Sequence, residues 1–520
     1  VVVWFCHHNS YYNFRFHELE DVAGTLGLSP HDLYKDHYGQ PDNYPDARSD
    51  EPYAIITLAS EEIAAALFER TVLVKFFMEI WGDGPTHRAA MEAAASLPAA
   101  KRREVLSPDS SYCFRVQAHG KKHTMADKLL VYEHFRPLFK GDERVDAANP
   151  DNVLWIAEDY DREGTRVIAL RRVFIGRHIG QRHDLLGKKN RPYTETYDLS
   201  QRPVLGPTTM DTGLSFLMAN AIQVKAGDVV LDPFAGTGGV MIAASHFGAL
   251  AVGGEIDPRV VSGVACVYSK NQTAEEERQR GRGVRVNFSH YGLARPEYVV
   301  CDNASSPWRR PATGWCNAIA TDPPYGIRAG AKKVEKKTDH AEVADRSSYM
   351  PQRVEYCPGD VISDLLMFAQ ESLVDNGRLS FLLPVMLSQL CLGGERGTFV
   401  KMRFTETSRD PRLLDEQRYR DFLPQMEGLE YVHGSLQILS GGVGRILITM
   451  RRIPRGQVRP VGPSGQAPLG VGASTRESTL AAWRNHDTAP SRRPGPAVGF
   501  VCLVGAVLLW GLWRSRPRQT

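Results

Sequence analysis

Paired cysteines are missing from this chain of 520 residues. Its eight cysteines (Cys6, Cys113, Cys266, Cys301, Cys316, Cys357, Cys391 and Cys502) show no C-x-x-C spacing, and no secretory pattern leads the chain. A disulfide framework and a structural zinc site are therefore disfavoured, and a reducing compartment is expected. No metal site is read from the sequence. A strong excess of one charge is missing too: 63 Lys+Arg face 60 Asp+Glu, a formal charge of +3. With 42% hydrophobic and 24% charged residues, the composition excludes disorder as the main state and a multi-span membrane protein. Length alone suggests about three domains. The nucleotide fingerprints are absent as well. No G-x-G-x-x-G spacing and no Walker lysine accompany the Gly-rich turn near residue 236, which disfavours NAD and ATP phosphate sites there.

What charge there is sits unevenly. Residues 1–150 carry 16 Lys+Arg against 22 Asp+Glu, a net of −6, and residues 451–520 carry 11 Arg with only Glu477 and Asp487, a net of +9. The basic excess belongs to the last seventy residues, so nucleic-acid binding by the body would rest on local patches. That tail is rich in Pro, Gly, Ser and Arg and cannot bury a core. Near its end Ala497–Trp513 is an uncharged run of 17 residues, at the short limit for crossing a bilayer core of about 30 Å. It is read as an atypical terminus, and no membrane partner is expected unless that segment is a genuine anchor.

The first half alternates short strands and helices. Helices are expected at His17–Leu28, Glu61–Glu69 and Lys122–Phe135, and strands at Ala54–Leu58, Leu73–Trp81, Tyr112–Gln117 and Val153–Tyr160, a compact α+β pattern without chemistry of its own. From Asp228 the pattern becomes strand–helix alternation. Strands are expected at Val229–Asp232, Leu250–Glu255, Tyr298–Asp302, Asn317–Asp322 and Arg378–Pro384, helices at Val240–Phe247 and Pro258–Lys270, and a closing antiparallel pair at His433–Leu439 and Arg445–Met450. That argues for a doubly wound α/β sheet, whose ligands bind at the C-terminal strand ends. Thr273–Arg285 and Ala331–Asp360 read as insertions. The second holds Lys332, Lys333, Lys336 and Lys337. Because it follows a strand end directly, it is a candidate substrate-contacting lid.

Chemistry-bearing residues gather at those strand ends. Asp232-Pro233-Phe234-Ala235-Gly236-Thr237-Gly238-Gly239 joins the first strand to a helix. Gly236 and Gly238 let the backbone approach a ligand, and the helix start offers free N–H donors. The turn, with Phe234, suits the amino-acid part of S-adenosylmethionine, whose ammonium fits Asp232. Glu255, with Asp257 second, ends the next strand as a ribose hydroxyl acceptor. Asp302 ends the third, where it can accept from an adenine amine. Each acid alone is more often a cap or a surface group; three at successive strand ends are harder to dismiss. The fourth strand ends Thr321-Asp322-Pro323-Pro324-Tyr325-Gly326. The prolines fix the backbone and remove N–H groups, which leaves the Pro323 carbonyl and Asp322 to hold an exocyclic amine while Tyr325 offers a ring for a base to stack on.

On these residues the chain resembles the class I, S-adenosylmethionine-dependent amino-methyltransferases, and among them the tRNA (guanine-10-N2)-methyltransferases. The likeness is carried by Arg70-Thr71, Glu79–Gly82, Gly206–Asp211, Leu214–Phe216, Met218–Asn220, Asp232–Gly239, Asp322–Arg328 and Leu447–Met450. It covers roughly residues 1–452. The resemblance implies a Rossmann-like methyltransferase domain preceded by an α+β, THUMP-containing RNA-binding region. The implied divisions are a ferredoxin-like segment over 1–60, a THUMP domain over 61–165, a linker over 166–205, a methyltransferase domain over 206–452, a disordered tail over 453–496 and the apolar segment over 497–513. It further implies tRNA as substrate, a small zinc-binding activator subunit as partner in a heterodimer, and a cofactor pocket lined by Thr208, Thr209 and Asp211. Pro207 and Glu255 stand where the family usually has Asn and Asp. An Asp at the transfer site suits guanine, which presents donors at N1 and N2, although the motif also occurs in adenine enzymes. A DNA or RNA adenine N6-methyltransferase, a protein-glutamine methyltransferase and a non-catalytic RNA-binding scaffold remain as alternatives. RNA contacts are expected at Lys101, Arg102 and Arg103, at Lys121 and Lys122, at Arg171 and Arg172, and at Lys188, Lys189 and Arg191.

Overall fold

The computed structural model describes residues 1–6, 9–34, 51–163, 166–180, 195–206, 208–268, 283–324, 332–334, 353–356, 358–386, 426–439 and 443–457. Val1–Pro468 form one unit and Leu469–Thr520 a second. The whole second unit, with the apolar run 497–513, lies outside the described residues. Among the described residues no helix is long and apolar enough to cross a membrane.

A period of two in apolar side chains builds the first layer. Val2 and Trp4 of β1 (Val2–Phe5) face one side of a sheet with Phe76, Met78 and Trp155. Val3 and Phe5 face the other, against Phe16 and Leu19 of α1 (Arg15–Thr25). The Phe76 ring stacks between Trp4 at 6.0 Å and Trp155 at 4.1 Å. The sheet continues through β2 (Tyr53–Ile55), β3 (Val74–Gly84), β4 (Ser111–His119), β5 (Arg144–Val145), β6 (Asn152–Glu163) and β7 (Arg166–Ile179), in the order β2-β1-β3-β7-β6-β4-β5. After α1 the chain forms α2 (Pro30–Tyr34). α3 (Glu61–Arg70) packs with α1, while α4 (His87–Ala95), α5 (Ala99–Val105) and α6 (Met125–Phe135) bury Ala90, Ala94, Val105, Val131 and Phe135 against Leu154, Ile156, Val173 and Ile175.

Two expectations need correction here. Residues 166–179, assigned to the linker, form the central strand β7, paired with both β3 and β6. Charge hid it. Arg171, Arg172 and Arg177 interrupt the apolar run, and each meets a carboxylate on a neighbouring strand: Asp159 at 3.2 Å, Asp83 at 2.7 Å and Glu79 at 3.2 Å respectively. One sheet also runs without a break across the boundary drawn at residue 60.

The second layer begins with β8 (Val204–Leu205) and α7 (Thr212–Ala221). It continues through β9 (Val229–Asp232), α8 (Gly239–His246), β10 (Leu250–Glu255), α9 (Pro258–Val261), β11 (Val267–Tyr268), α10 (Arg285–His290), β12 (Glu297–Val300) and β13 (Cys316–Thr321). The hairpin β14 (Lys332–Val334) and β15 (Arg353–Glu355), α11 (Pro358–Ser372), β16 (Leu373–Met386), β17 (Leu429–Ile438) and β18 (Val443–Arg452) complete it. The sheet order is β12-β10-β9-β13-β16-β18-β17, parallel from β12 to β16 and antiparallel in the last two pairings. α7 and α8 share a core on one face, and α11 covers the other with Leu365, Leu366 and Phe368. The expected helix Pro258–Lys270 is a single turn, α9. Gly263 takes φ +79° two residues later, and Val267–Tyr268 pairs with β8 instead. Within the expected insertion 331–360 the described residues form the β14–β15 hairpin and the start of α11.

Buried charge joins the two layers. Glu18 of α1 accepts from Val72 N (2.5 Å), Leu73 N (2.8 Å) and Asn220 Nδ2 (2.9 Å). Asp21 accepts from Arg378 Nη1 at 2.7 Å and pairs with His433 Nε2 at 2.8 Å. Asn13 Nδ2 donates to the Leu436 carbonyl at 3.0 Å. Buried carboxylates are tolerable only when hydrogen-bonded in this way.

Candidate functional site

β9 delivers Asp232 to the end of its sheet, 4% exposed. Its Oδ1 accepts from Phe234 N at 3.0 Å and from the Thr321 hydroxyl of β13 at 2.6 Å. Burial pushes its carboxyl up to about 7, with Asp322 and Glu255 adding to the rise against those two hydrogen bonds. A buried acid with a raised pKa at a strand end is suited to receive a cation. The turn beyond it depends on glycine. Gly238 caps α8 at φ +81°, and a Cβ there would stand 2.5 Å from the Tyr298 hydroxyl. That hydroxyl is buried and no described group hydrogen-bonds it. Thr209 reaches the same turn, its hydroxyl 3.1 Å from that of Thr237 and bonded to Gly206 N at 2.8 Å.

Glu255 ends β10 beside this turn. Its Oε2 accepts from Gly236 N at 3.0 Å and its Oε1 from Asp257 N at 2.8 Å, and burial raises its pKa. Asp302, after β12, caps a short 3-10 turn by accepting from Ala304 N at 2.9 Å. Tyr356, just after β15, packs with Val361 beside Phe234 and Ala304, and its hydroxyl donates to Asp364. Sequence reasoning passed over Tyr356 and the hydroxyls of Tyr298 and Thr321. Their apolar or β-branched character reads as core, and only the fold brings their hydroxyls to the strand ends.

Asp322 follows β13 directly, half-buried, with Pro323 buried behind it. The Thr321–Asp232 hydrogen bond brings the first and fourth motifs of the sequence onto adjacent strand ends. Arg445 of β18 lies across from them, its Nη1 3.7 Å from Asp322 Oδ2. Tyr325 lies outside the described residues, as do Lys188, Lys189 and Arg191.

Other expected residues have different occupations. Asp211 caps α7, accepting from Leu214 N at 3.1 Å, and takes a 2.6 Å hydrogen bond from Tyr11. Thr208 is exposed. Asp257 caps α9 and is held by Arg259 at 2.7 Å. Of the expected RNA contacts, Arg171 and Arg172 are taken up by the ion pairs within the sheet. Lys101 reaches Glu79 at 2.8 Å, and Arg102 is only partly exposed. Arg103, Lys121 and Lys122 are exposed, Lys121 with its ammonium 5.2 Å from the Tyr160 ring centroid.

A Gly-rich turn after the first strand, acids at the next three strand ends and an antiparallel final pair define a Rossmann-like methyltransferase joined to an N-terminal α+β region. Residues 5–183 match the Tmrp11 THUMP N-terminal domain, and residues 200–345 match the RMKL-like methyltransferase domain. The first match includes the strand misread as linker. The chain is 32% identical to the tRNA (guanine(10)-N(2))-methyltransferase TRMT11 of Xenopus laevis, over 81% of this chain and 80% of that one. It is 31% identical to the human protein of that name over 78% and 80%, and 30% identical to that of Dictyostelium discoideum over 85% and 80%. The chain belongs to the TRMT11 family of tRNA (guanine(10)-N(2))-methyltransferases.

Proposed function

We propose that this chain is the catalytic subunit of a tRNA methyltransferase that methylates the exocyclic N2 amine of guanosine 10, with S-adenosylmethionine as methyl donor. One observation carries the reading. Asp232, an acid whose raised pKa suits it to a cation, and Asp322, an acid followed by two prolines, sit at adjacent strand ends bridged by Thr321.

The residues present fit the donor. Asp232 suits its ammonium, Glu255 with Asp302 suits hydroxyl and amine donors, and Gly236 and Gly238 leave room beside the Tyr298 hydroxyl. Bound there, S-adenosylmethionine supplies a methyl group made electrophilic by its sulfonium. Guanine N2 is a poor nucleophile because its lone pair is delocalised into the ring. Asp322 and the Pro323 carbonyl accept from N2–H and draw that lone pair out of conjugation, and Asp322 takes the released proton directly or through water. Orientation contributes the larger share, since aligned groups can supply about 7–11 kcal/mol. Tyr325 stacks on the extruded base and offsets part of the few kcal/mol that extrusion costs. Arg103, Lys121 and Lys122 are the exposed candidates for phosphate contacts in the N-terminal region.

The finer reading places the enzyme in the cytoplasm beside a small zinc-binding activator subunit, as the family resemblance implies. The test is to co-express the chain with that subunit, digest a treated tRNA and identify the methylated nucleoside by mass spectrometry. N2-methylguanosine from position 10 is expected. N6-methyladenosine, or no product from folded protein, overturns the reading.

A further inference from the structure

The region around Asp322 contains a second set of connected polar side chains, Arg445, Gln437 and Tyr11, none of them in the expected cofactor or base contacts. Arg445 stands on β18 opposite Pro384 of β16 and opposite Gln437 of β17. Its Nε donates to Gln437 Oε1 at 2.6 Å, and its Nη1 is 3.7 Å from Asp322 Oδ2. Gln437 is 5% exposed. On the far side stands Tyr11, from the 3-10 turn that precedes α1. Its hydroxyl donates to Asp211 at 2.6 Å, and Gln437 and Arg445 both act on it. A guanidinium is a planar fork whose Nε and Nη edges engage separate partners at fixed angles. Gln437 holds the Nε edge here, and Nη1 lies at ion-pair distance from the carboxylate. The amide of Gln437, its oxygen held by Arg445, in turn hydrogen-bonds a tyrosine contributed by the N-terminal region.

We propose that Arg445 is a positioning residue for methyl transfer, fixing Asp322 as an oriented acceptor, and that Gln437 and Tyr11 hold Arg445 in that pose. The proposal rests on the reading of Asp322 given above. An ammonium on a flexible stem would supply the charge without the aim, so charge and geometry are separable by substitution. Because Tyr11 comes from the first fifteen residues, the acceptor's geometry also depends on the N-terminal region being docked.

The experiment uses the full chain with its activator subunit and a tRNA substrate. Wild-type formation of N2-methylguanosine tests the parent reading by itself, and the variants test Arg445. Arg445→Ala is expected to lower kcat by about 30- to 100-fold, the scale of loss from a small misplacement of a reacting group. KM for tRNA and the Kd for S-adenosylmethionine stay within about twofold, the signature of an interaction made in the transition state. Added guanidinium restores about fivefold or more of the lost rate in that variant, which a structural role would not allow. Arg445→Lys recovers part of the rate. Gln437→Met, which frees the Arg445 fork and leaves its charge, costs about three- to tenfold in kcat and remains informative if Arg445→Ala melts early. Tyr11→Phe costs less than Gln437→Met. An unchanged kcat in Arg445→Ala, or a folded Arg445→Ala with no guanidinium response, overturns the proposal. So does a Gln437→Met variant as fast as wild type.

Discussion

The two sheets of this chain treat buried carboxylates in opposite ways. In the N-terminal sheet each meets a cation or a histidine. Glu158, with no exposure, takes His87 at 2.5 Å and His123 on its other oxygen; Asp159 takes His119 at 2.9 Å and Arg171 at 3.2 Å. Burial opposes the charge on Glu158, yet the two histidine contacts outweigh it and hold its carboxyl below the usual range. At the strand ends of the second sheet, Asp232 and Glu255 take hydrogen bonds from backbone N–H groups and one hydroxyl, with no described cation in ion-pair reach. Their pKa values go up. The first pattern completes a fold. The second leaves electrostatic demand to be met by a ligand, at a cost in ligand-free stability.

That contrast can be broken by substitution. Asp322→Ala should lower single-turnover methylation by about a thousandfold or more. Binding of tRNA in a filter assay stays within about twofold, and retained turnover would remove Asp322 from the chemistry. Asp232→Asn should weaken S-adenosylmethionine binding by about a hundredfold, by loss of a buried charge-assisted hydrogen bond. In the ligand-free protein its Tm is unchanged or higher. Calorimetry with a thermal melt checks both, and a large fall in Tm would make Asp232 a structural acid like Glu158. Glu158→Gln should do the reverse, costing about 2 kcal/mol in a denaturant titration while leaving cofactor affinity unaltered.

Acidity separates the two regions more gently. Asp232 must be ionised to hold an ammonium, and its pKa is about 7. Cofactor affinity should therefore fall about tenfold per pH unit below 7 and flatten above it. The same shift acts on stability. The folded chain holds a proton on Asp232 that the unfolded chain, with an ordinary value of 3.8, has released. Ligand-free stability thus falls as pH rises from about 4 to about 7, and Asp232→Asn removes that slope. Glu158 carries the opposite sign. Its folded pKa is depressed from 4.5, so its contribution is present above that value and lost as pH falls through the lower folded one. Gly238→Ala carries the smallest effect, about 1 kcal/mol of backbone strain at φ +81°, with weaker cofactor binding where the new Cβ crowds Tyr298.

The sequence disclosed most of the second sheet because each strand there is an apolar run closed by a turn residue or a carboxylate. It placed Asp232, Glu255 and Asp322 at strand ends for the same reason. β7 stayed hidden because its arginines satisfy carboxylates on β3 and β6, its neighbours in the sheet, a match that no local pattern carries. α4 and α5 were missed in an Ala-rich stretch whose apolar face is small, with Ala90 and Ala94 as the buried positions of α4. Asp257 was read as a ligand contact from its strand-end place and Asp211 from the family resemblance; the fold also uses both as helix caps. Arg445 and Tyr298 could not be found locally, since what matters is the carboxylate or the glycine turn that each faces across the sheet.

The docking of α1 also constrains the order in which the molecule can be assembled. Asn13, His17 and Asp21 meet Leu436, Ser435 and His433 across 423, 418 and 412 residues of chain. Contacts that distant close late, because loop entropy must be met before they form. During synthesis Asp21 of the first helix therefore has its partners only once β16 and β17 have emerged, whereas Glu18 meets Val72 and Leu73 far earlier. A chain stopped before β17 would present that helix with a charged, unfilled face. Completion of the second sheet and pairing of Asp21 and His17 then become one event, so an unfinished enzyme is marked as unfinished at its opposite end.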